Sequence, residues 1–154
     1  MKRFLYRLCQ WTWGLPQTLA GAVVFLRYCR CRHFWYQGAL VTLWPVKGGS
    51  LSLGMFAFLY DGWKPADREL LAHEYGHTVQ SLLLGPLYLL AIGLPSALWA
   101  GPSPLSKLRH VKKLPYGWLY TEKWADRNGR KFVKKPIPAL RPPQAASTQS
   151  KAAE

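Results

Sequence analysis

Two histidines and a glutamate in the run His73-Glu74-Tyr75-Gly76-His77 form the pattern HExxH. On a helix, residues four apart lie on one face about one turn from each other, so both imidazoles can reach a single ion. Glu74 stands beside the first histidine, where a carboxylate can accept a proton from water activated by the metal. The pattern therefore predicts a Zn²⁺ site with His73 and His77 as ligands and Glu74 as the general base.

A catalytic zinc ion takes a third protein ligand and keeps one position open for water. The metzincin extension of HExxH needs a glycine and a further histidine, and it is excluded because Gln80 and Leu83 occupy those positions. The gluzincin pattern uses a glutamate on a second helix within Glu-x-x-x-Asp, which Glu122 and Asp126 match. Glu122 is then expected to bind the metal, and Asp126 to accept a hydrogen bond from a ligand histidine.

HEYGH followed by EKWAD resembles the gluzincin zinc metallopeptidases, and the Glu-x-x-Ala-Asp form is similar to that of the membrane-bound prenyl-protein-processing and heat-shock proteases. The stretch from Gly54 to Gly129 also resembles a group of small bacterial membrane-associated HEYGH proteins with no known substrate. The resemblance implies a zinc-dependent hydrolase of peptide bonds. Because this chain is much shorter than the large proteases and lacks their long spans, their substrate class is not carried over.

A tyrosine near the metal could stabilise the oxyanion that forms during hydrolysis by donating a hydrogen bond. Tyr116 and Tyr120 both stand close to Glu122 in the sequence, and Tyr120 precedes it by two residues. We assign the catalytic role to Tyr120, with an ordinary structural tyrosine as the alternative.

The elements that must position these side chains can be predicted from the flanking patterns. Residues 65–84 are predicted to form the HExxH helix, and residues 119–128 a second helix that ends at Gly129. Two apolar stretches on either side of a Gly-Gly turn, residues 38–44 and 51–60, are predicted to be strands of a small antiparallel sheet. The predicted fold is α+β, a minimal zincin-like domain over residues 36–133. The strand at 51–60 is either an edge that holds a peptide substrate or an ordinary core strand.

Two apolar stretches without any charge raise the question of a membrane. Residues 8–26 lie within an N-terminal segment, 1–35, that is predicted to form an apolar helix flanked by cations; it either meets a membrane or packs on the domain. Residues 78–105 are too few for two crossings, which need about 40 residues. A single crossing would separate His77 from Glu122. We therefore expect a hairpin in the membrane plane or a buried helical pair.

The charge of the chain bears on its location and partners. Of 154 residues, 21 are Lys or Arg and 7 are Asp or Glu, which gives a net charge of +14. Since no nucleic-acid-binding module is recognisable, we predict a membrane surface or bilayer as partner and no nucleic acid. The expected location is the bacterial inner membrane or its cytoplasmic face. Residues 134–154 are predicted to be a disordered basic tail.

The cysteines are too few for a disulfide scaffold, because the chain contains three of them. Cys29 and Cys31 stand near His33, but basic neighbours disfavour a second metal site there. Reduced thiols, or S-acylation beside an apolar segment, are the preferred interpretations of these two residues, and the role of Cys9 stays open.

The leading functional hypothesis is a membrane-associated zinc metallopeptidase that acts on a peptide or protein. The alternative is a non-catalytic, zinc-binding membrane scaffold or assembly factor that uses the same residues. A third hypothesis, a basic nucleic-acid binder with a chance HExxH, predicts no bound metal.

Overall fold

A computed structural model of the protein describes residues 3–62 and 68–133. In these ranges six α-helices surround a small four-stranded sheet, so the fold is α+β as predicted. The predicted tail at 134–154 and the first residues of the predicted helix 65–84 lie outside the described residues. The helices are α1 (Arg3–Thr12), α2 (Leu15–Arg27), α3 (Arg68–Leu84), α4 (Leu94–Ala100), α5 (Pro104–Val111) and α6 (Tyr120–Phe132). The strands are β1 (His33–Tyr36), β2 (Ala39–Trp44), β3 (Leu51–Leu53) and β4 (Phe56–Tyr60). The described residues also form two short 3-10 helices, Gly85–Leu87 and Tyr116–Trp118, and a π-helix, Leu89–Gly93.

The sheet is mixed, and the prediction of an antiparallel sheet is wrong. Its strand order is β1-β2-β4-β3, with β2 and β4 parallel and the other two pairs antiparallel. Residues 51–60 form a hairpin, not one strand, because the chain turns back after β3 at Gly54. The φ of Gly54 is +60°, a region that favours glycine, and a Cβ there would lie 2.2 Å from the Thr18 hydroxyl. This reversal makes β4 run in the direction of β2.

Helices cover both faces of the sheet. Because alternate residues of a strand point to opposite faces, the side chains of Phe56 and Ser52 point away from each other in the paired strands β4 and β3. Phe56 stacks on Phe25 of α2 with 5.7 Å between ring centroids, whereas Ser52 reaches Glu74 of α3. The sheet therefore lies between α2 and α3, which explains why β2 is buried along its whole length.

Helices α3 and α6 cross in direct backbone contact. A Cβ on Gly76 would lie 2.0 Å from the carbonyl oxygen of Ala125, and a Cβ on Gly129 would lie 2.2 Å from that of Ala72. Only glycine permits so close an approach. The helix predicted to end at Gly129 continues to Phe132, because this glycine serves the crossing and does not end the helix. The crossing places Glu122 opposite the histidines of α3.

The two charge-free stretches fold into short helices. Residues 8–26 do not form one helix, since α1 ends at Thr12 and α2 begins at Leu15. Residues 78–105 complete α3 and continue through the 3-10 helix and the π-helix into α4 and the start of α5. Among the described residues, no helix is long and apolar enough to cross a membrane.

Candidate metal centre

Three side chains from two helices converge on one point. The Nε2 atoms of His73 and His77 are 3.2 Å apart, and Oε2 of Glu122 lies 3.1 Å from the first and 3.7 Å from the second. One ligand atom from each residue lies within 4.8 Å of the others, so the group could hold a metal ion. The structure thus brings together the three residues that the sequence predicted as ligands.

The outer nitrogens of both imidazoles are held by acceptors. Nδ1 of His73 lies 2.7 Å from Oδ1 of Asp126, and Nδ1 of His77 lies 2.7 Å from Oε1 of Gln80. The amide nitrogen of Gln80 donates in turn to the carbonyl of Thr121 in α6, at 2.8 Å. Because each acceptor requires a proton on Nδ1, the Nε2 atoms face the cluster, and their lone pairs are available to a metal ion that displaces any proton from them.

Asp126 lies where the sequence predicted it, against a ligand histidine. The contact between Gln80 and His77 was not predicted from the sequence, because Gln80 was considered only as a mismatch to the metzincin pattern. Its position three residues after His77, on the same face of the helix, was the signal that could have revealed it.

The carboxylate of Glu122 is fully buried, yet only one of its oxygens is satisfied. Oε1 accepts a hydrogen bond from the hydroxyl of Thr121 at 3.1 Å, and that hydroxyl accepts one from Ser96 at 2.9 Å. No hydrogen bond of acceptable geometry reaches Oε2, which faces the two imidazoles. The imidazole nitrogens at 3.1 and 3.7 Å are its charged neighbours when protonated, and a cation at this point could take their place.

The charges around the cluster are coupled. Burial alone lowers the pKa of His73, but the carboxylates of Glu122, Glu74 and Asp126 outweigh it and raise the pKa to about 9. Burial alone raises the pKa of Glu122, but the imidazoles of His73 and His77 lower it well below its usual range. Both shifts come from the mutual attraction of opposite charges, since the carboxylates stabilise the protonated imidazole and the imidazoles stabilise the Glu122 carboxylate.

Glu74 is fixed beside the cluster by the edge strand of the sheet. Its Oε2 accepts a hydrogen bond of 2.7 Å from the hydroxyl of Ser52 in β3. Glu74 and the three cluster residues line a cavity of about 360 Å³, whose other walls are largely apolar. These walls include Leu51, Leu53, Leu89, Ile92 and Leu94.

A second, wider cleft of about 1050 Å³ opens on the other side of His73. It is lined by glycines and polar residues, among them Ser50 and Arg109. His73 and Tyr116 border both spaces. The cluster therefore lies where an open, wider cleft meets a narrower and more apolar cavity.

Of the two tyrosines considered from the sequence, only Tyr116 lines the cavities. Tyr120 is 56% exposed, and its hydroxyl donates to the carbonyl of Ala91. Residues two apart on a helix point in different directions, so Tyr120 and Glu122 diverge.

Tyr116 is 44% exposed, borders both spaces beside the cluster and carries a phenol that can donate a hydrogen bond. Its backbone carbonyl accepts a hydrogen bond of 2.8 Å from the indole of Trp99. Burial and the carboxylates of Glu122 and Glu74 raise the pKa of Tyr116 well above its usual range, so its phenol is protonated.

Among the described residues, His73, His77 and Glu122 form the only group arranged to hold a metal ion. Cys29, Cys31 and His33 do not form a second one, and the cysteines are free thiols. Comparison of the chain with protein-family models, with curated proteins and with solved structures finds no match. What the protein does must therefore be argued from the chemistry of the cluster and its surroundings.

Proposed function

We propose that the protein is a zinc-dependent metallopeptidase, a minimal zincin-like domain of the gluzincin type. The observation that carries this proposal is the convergence of His73, His77 and Glu122, with Glu74 beside them, at the meeting point of two cavities. Ligands, general base and space for a substrate are then present at one place, as a hydrolytic metal site requires.

The ligand set and its spacing suit zinc. A tetrahedral ion with bonds of about 2.0–2.1 Å holds its ligand atoms about 3.3 Å apart. The separations of 3.1, 3.2 and 3.7 Å between the ligand atoms of His73, His77 and Glu122 bracket that value. Within the described part of the chain no fourth side chain joins the group. Three protein ligands beside a cleft are typical of a catalytic site, since structural zinc sites close with four.

Each side chain around the cluster has a role in hydrolysis. When bound, zinc would lower the pKa of a water molecule and polarise the scissile carbonyl. Glu74 takes the proton of the attacking water and delivers it to the leaving amine. Tyr116 donates its phenolic proton in a hydrogen bond to the carbonyl oxygen as negative charge develops there, the role that we assigned to Tyr120 from the sequence. Asp126 and Gln80 hold the imidazoles in the tautomer that binds metal.

The cavities favour an extended peptide as the substrate. β3 is an edge strand of the sheet and runs beside Glu74, so a peptide can be held along it by backbone hydrogen bonds. The Tyr88 hydroxyl already donates a hydrogen bond of 2.9 Å to the Ser52 carbonyl. The backbone hydrogen bonds between the peptide and β3 therefore begin at Ser50, or Tyr88 must move away from the Ser52 carbonyl. The apolar cavity then receives an apolar side chain next to the scissile bond.

Three variants test this function. The protein is stripped with a chelator, reloaded with zinc and analysed by mass spectrometry, and cleavage of a mixture of fluorogenic peptides is followed. We expect about one zinc ion per wild-type chain. Glu74→Gln should keep the zinc and lose about 10²- to 10⁴-fold in kcat, whereas Glu122→Ala should lose the zinc. Asp61→Asn, which changes a carboxylate in a surface ion pair with Arg32, is the matched control and should resemble the wild type.

Each result decides between the hypotheses. Wild-type protein that binds no zinc would overturn the proposal. Undiminished hydrolysis by Glu74→Gln would overturn the role of Glu74. Bound zinc without hydrolysis of any peptide in the mixture would favour the non-catalytic membrane scaffold or assembly factor instead.

A further inference from the structure

Helix α2 exposes apolar side chains on its outer side and buries polar side chains on its inner side, the reverse of the usual arrangement in a surface helix. Leu15, Leu19, Val23 and Leu26 follow one another at helical spacing and are 40–69% exposed. Polar residues of the same helix, such as Gln17, are fully buried. In proteins surrounded by water, the apolar stripe of a surface helix faces the core. The outward side of α2 is therefore not suited to water.

Most of the buried polar groups behind this stripe are hydrogen-bonded to one another, although within the described residues Oε1 of Gln17 has no hydrogen-bond partner. Gln17 donates to the hydroxyl of Ser81 at 2.8 Å and to the carbonyl of Gly85 at 3.0 Å. Gln10 of α1 donates to the carbonyl of Thr78 at 3.0 Å and accepts from Ser81 at 2.9 Å. Polar groups that are paired inside while apolar side chains face outward are characteristic of proteins in contact with lipid, where no water is present to satisfy them.

A second apolar stripe adjoins the first. It follows the end of α3, the π-helix and α4 at helical spacing, and its members are 38–68% exposed. The indole of Trp13, itself 56% exposed, packs on Gly85 and joins the two stripes. Residues 78–106, like residues 8–26, contain no charged residue. We call the two stripes together the apolar face: Leu15, Leu19, Val23 and Leu26 with Trp13, Leu83, Leu87, Leu90, Leu94 and Leu98.

We propose that the apolar face inserts into the surface of a lipid bilayer that contains anionic lipids, with its helices in the plane of the membrane. Contiguous exposed apolar surfaces mark interaction sites. The 13 residues of α2 extend about 20 Å, less than the hydrocarbon core of about 30 Å. The helix thus matches an interfacial element and not a span. This inference concerns location and does not depend on the proposed peptidase activity.

Charge favours an anionic bilayer as the occupant. Exposed cations lie at the end of α2, at Arg27 and Arg30, and at the end of α5, at Lys112 and Lys113. The chain as a whole carries +14. Each cation near an anionic leaflet strengthens binding about fivefold, so the charges and the apolar face act together.

Vesicle binding tests the proposal. The protein is purified in a mild detergent and diluted into vesicles of phosphatidylcholine, with or without phosphatidylglycerol, and co-sedimentation is measured. We expect binding at least about tenfold tighter to vesicles with phosphatidylglycerol, and weaker binding as salt is added. Leu19→Gln with Val23→Gln, and separately Leu87→Gln with Leu90→Gln, should each weaken binding at least about tenfold.

A matched variant places the same substitution at exposed apolar residues elsewhere, Val46→Gln with Phe132→Gln, and should bind as the wild type does. Circular dichroism shows that each variant is folded. Failure of the wild type to sediment with vesicles, or an equal loss in the matched variant, would overturn the proposal. The wild type could instead form a dimer and bind no vesicles, with the double variant Leu19→Gln and Val23→Gln being monomeric. That result would assign the apolar face to contact with a second copy of the chain. Zinc content and cleavage of water-soluble peptides, measured in parallel, separate this outcome from failure of the proposed function.

Discussion

Replacing Gly76 by alanine tests how the metal centre is held together. Gly76 lies in the middle of HExxH, where α3 touches the backbone of α6 at Ala125. The new Cβ would lie 2.0 Å from the Ala125 carbonyl oxygen, whereas real Cβ contacts essentially never fall below 3.0 Å. The two helices must therefore separate by at least about 1 Å, because neither backbone can yield locally.

This separation acts directly on the ligands. His73 and His77 lie on α3 and Glu122 on α6, so the 3.1 Å between Nε2 of His73 and Oε2 of Glu122 would widen to about 4 Å. Metal–ligand distances tolerate about 0.2 Å, so Glu122 could no longer bind together with both histidines. We expect zinc affinity to fall about 100-fold or more, and the metal-free protein to lose about 1–3 kcal/mol of stability from overpacking.

Zinc affinity is measured by competition with a chromophoric chelator, and stability by thermal unfolding of the metal-free protein. Gly93→Ala is the control, because a Cβ there would meet its nearest neighbour, a methyl group of Leu89, at an ordinary 3.6 Å. Its backbone is already helical, with φ of −58°. The control should bind zinc as the wild type does, with equal or slightly higher stability.

Zinc binding by Gly76→Ala within about threefold of the wild type would refute the reasoning, since the helix crossing would then not set the ligand geometry. If Gly76→Ala does not fold, Gly129→Ala provides the second test. Its Cβ would lie 2.2 Å from the Ala72 carbonyl oxygen, in the same crossing but farther from the ligands. Unchanged zinc affinity in that variant would refute the reasoning equally.

Three further predictions concern the surroundings of the ligands. Asp126→Asn replaces the charged acceptor of His73, so zinc affinity should fall about 10- to 100-fold in calorimetric titrations, and an unchanged affinity would show that the contact does not orient the ring. Ser52→Ala removes the donor that holds Glu74; zinc content should stay constant while kcat falls about tenfold, and a loss of zinc would instead indicate a structural role. Removal of the metal should lower the melting temperature, because zinc at 100 times its Kd stabilises the folded state by about 2.7 kcal/mol; identical melting curves with and without chelator would contradict a site formed only in the folded chain.

The part of the candidate metal centre that lies on α3 was predictable from the sequence. The spacing of His73 and His77 fixes their relation on any helix, so the pair and the adjacent Glu74 follow without knowledge of the fold. Glu122 lies far away in the sequence, and its assignment depended on resemblance to a known motif. What brings it to the histidines is a backbone crossing, whose trace in the sequence is the small residues on both helices, Ala72 and Gly76 on α3 and Ala125 and Gly129 on α6.

The arrangement of the sheet was not predictable, for a physical reason. Helices cover both of its faces, so both faces of β3 and β4 are apolar apart from Ser52. Residues 51–60 are therefore apolar almost throughout, so no change in polarity marks the reversal and the stretch reads as one continuous strand. Gly54 carried the signal of the turn, and the apolar residues on both sides of it concealed that signal.

The segment from the π-helix to α4 contributes residues both to the cavity beside the proposed zinc site and to the apolar face. Leu89 and Ile92 line the apolar cavity beside Glu74, whereas Leu90 and Leu98 point outward on the apolar face. Leu94 belongs to both, since it lines the cavity and is 52% exposed. One layer of helix, about 10 Å across, therefore separates the proposed zinc site from the proposed membrane surface.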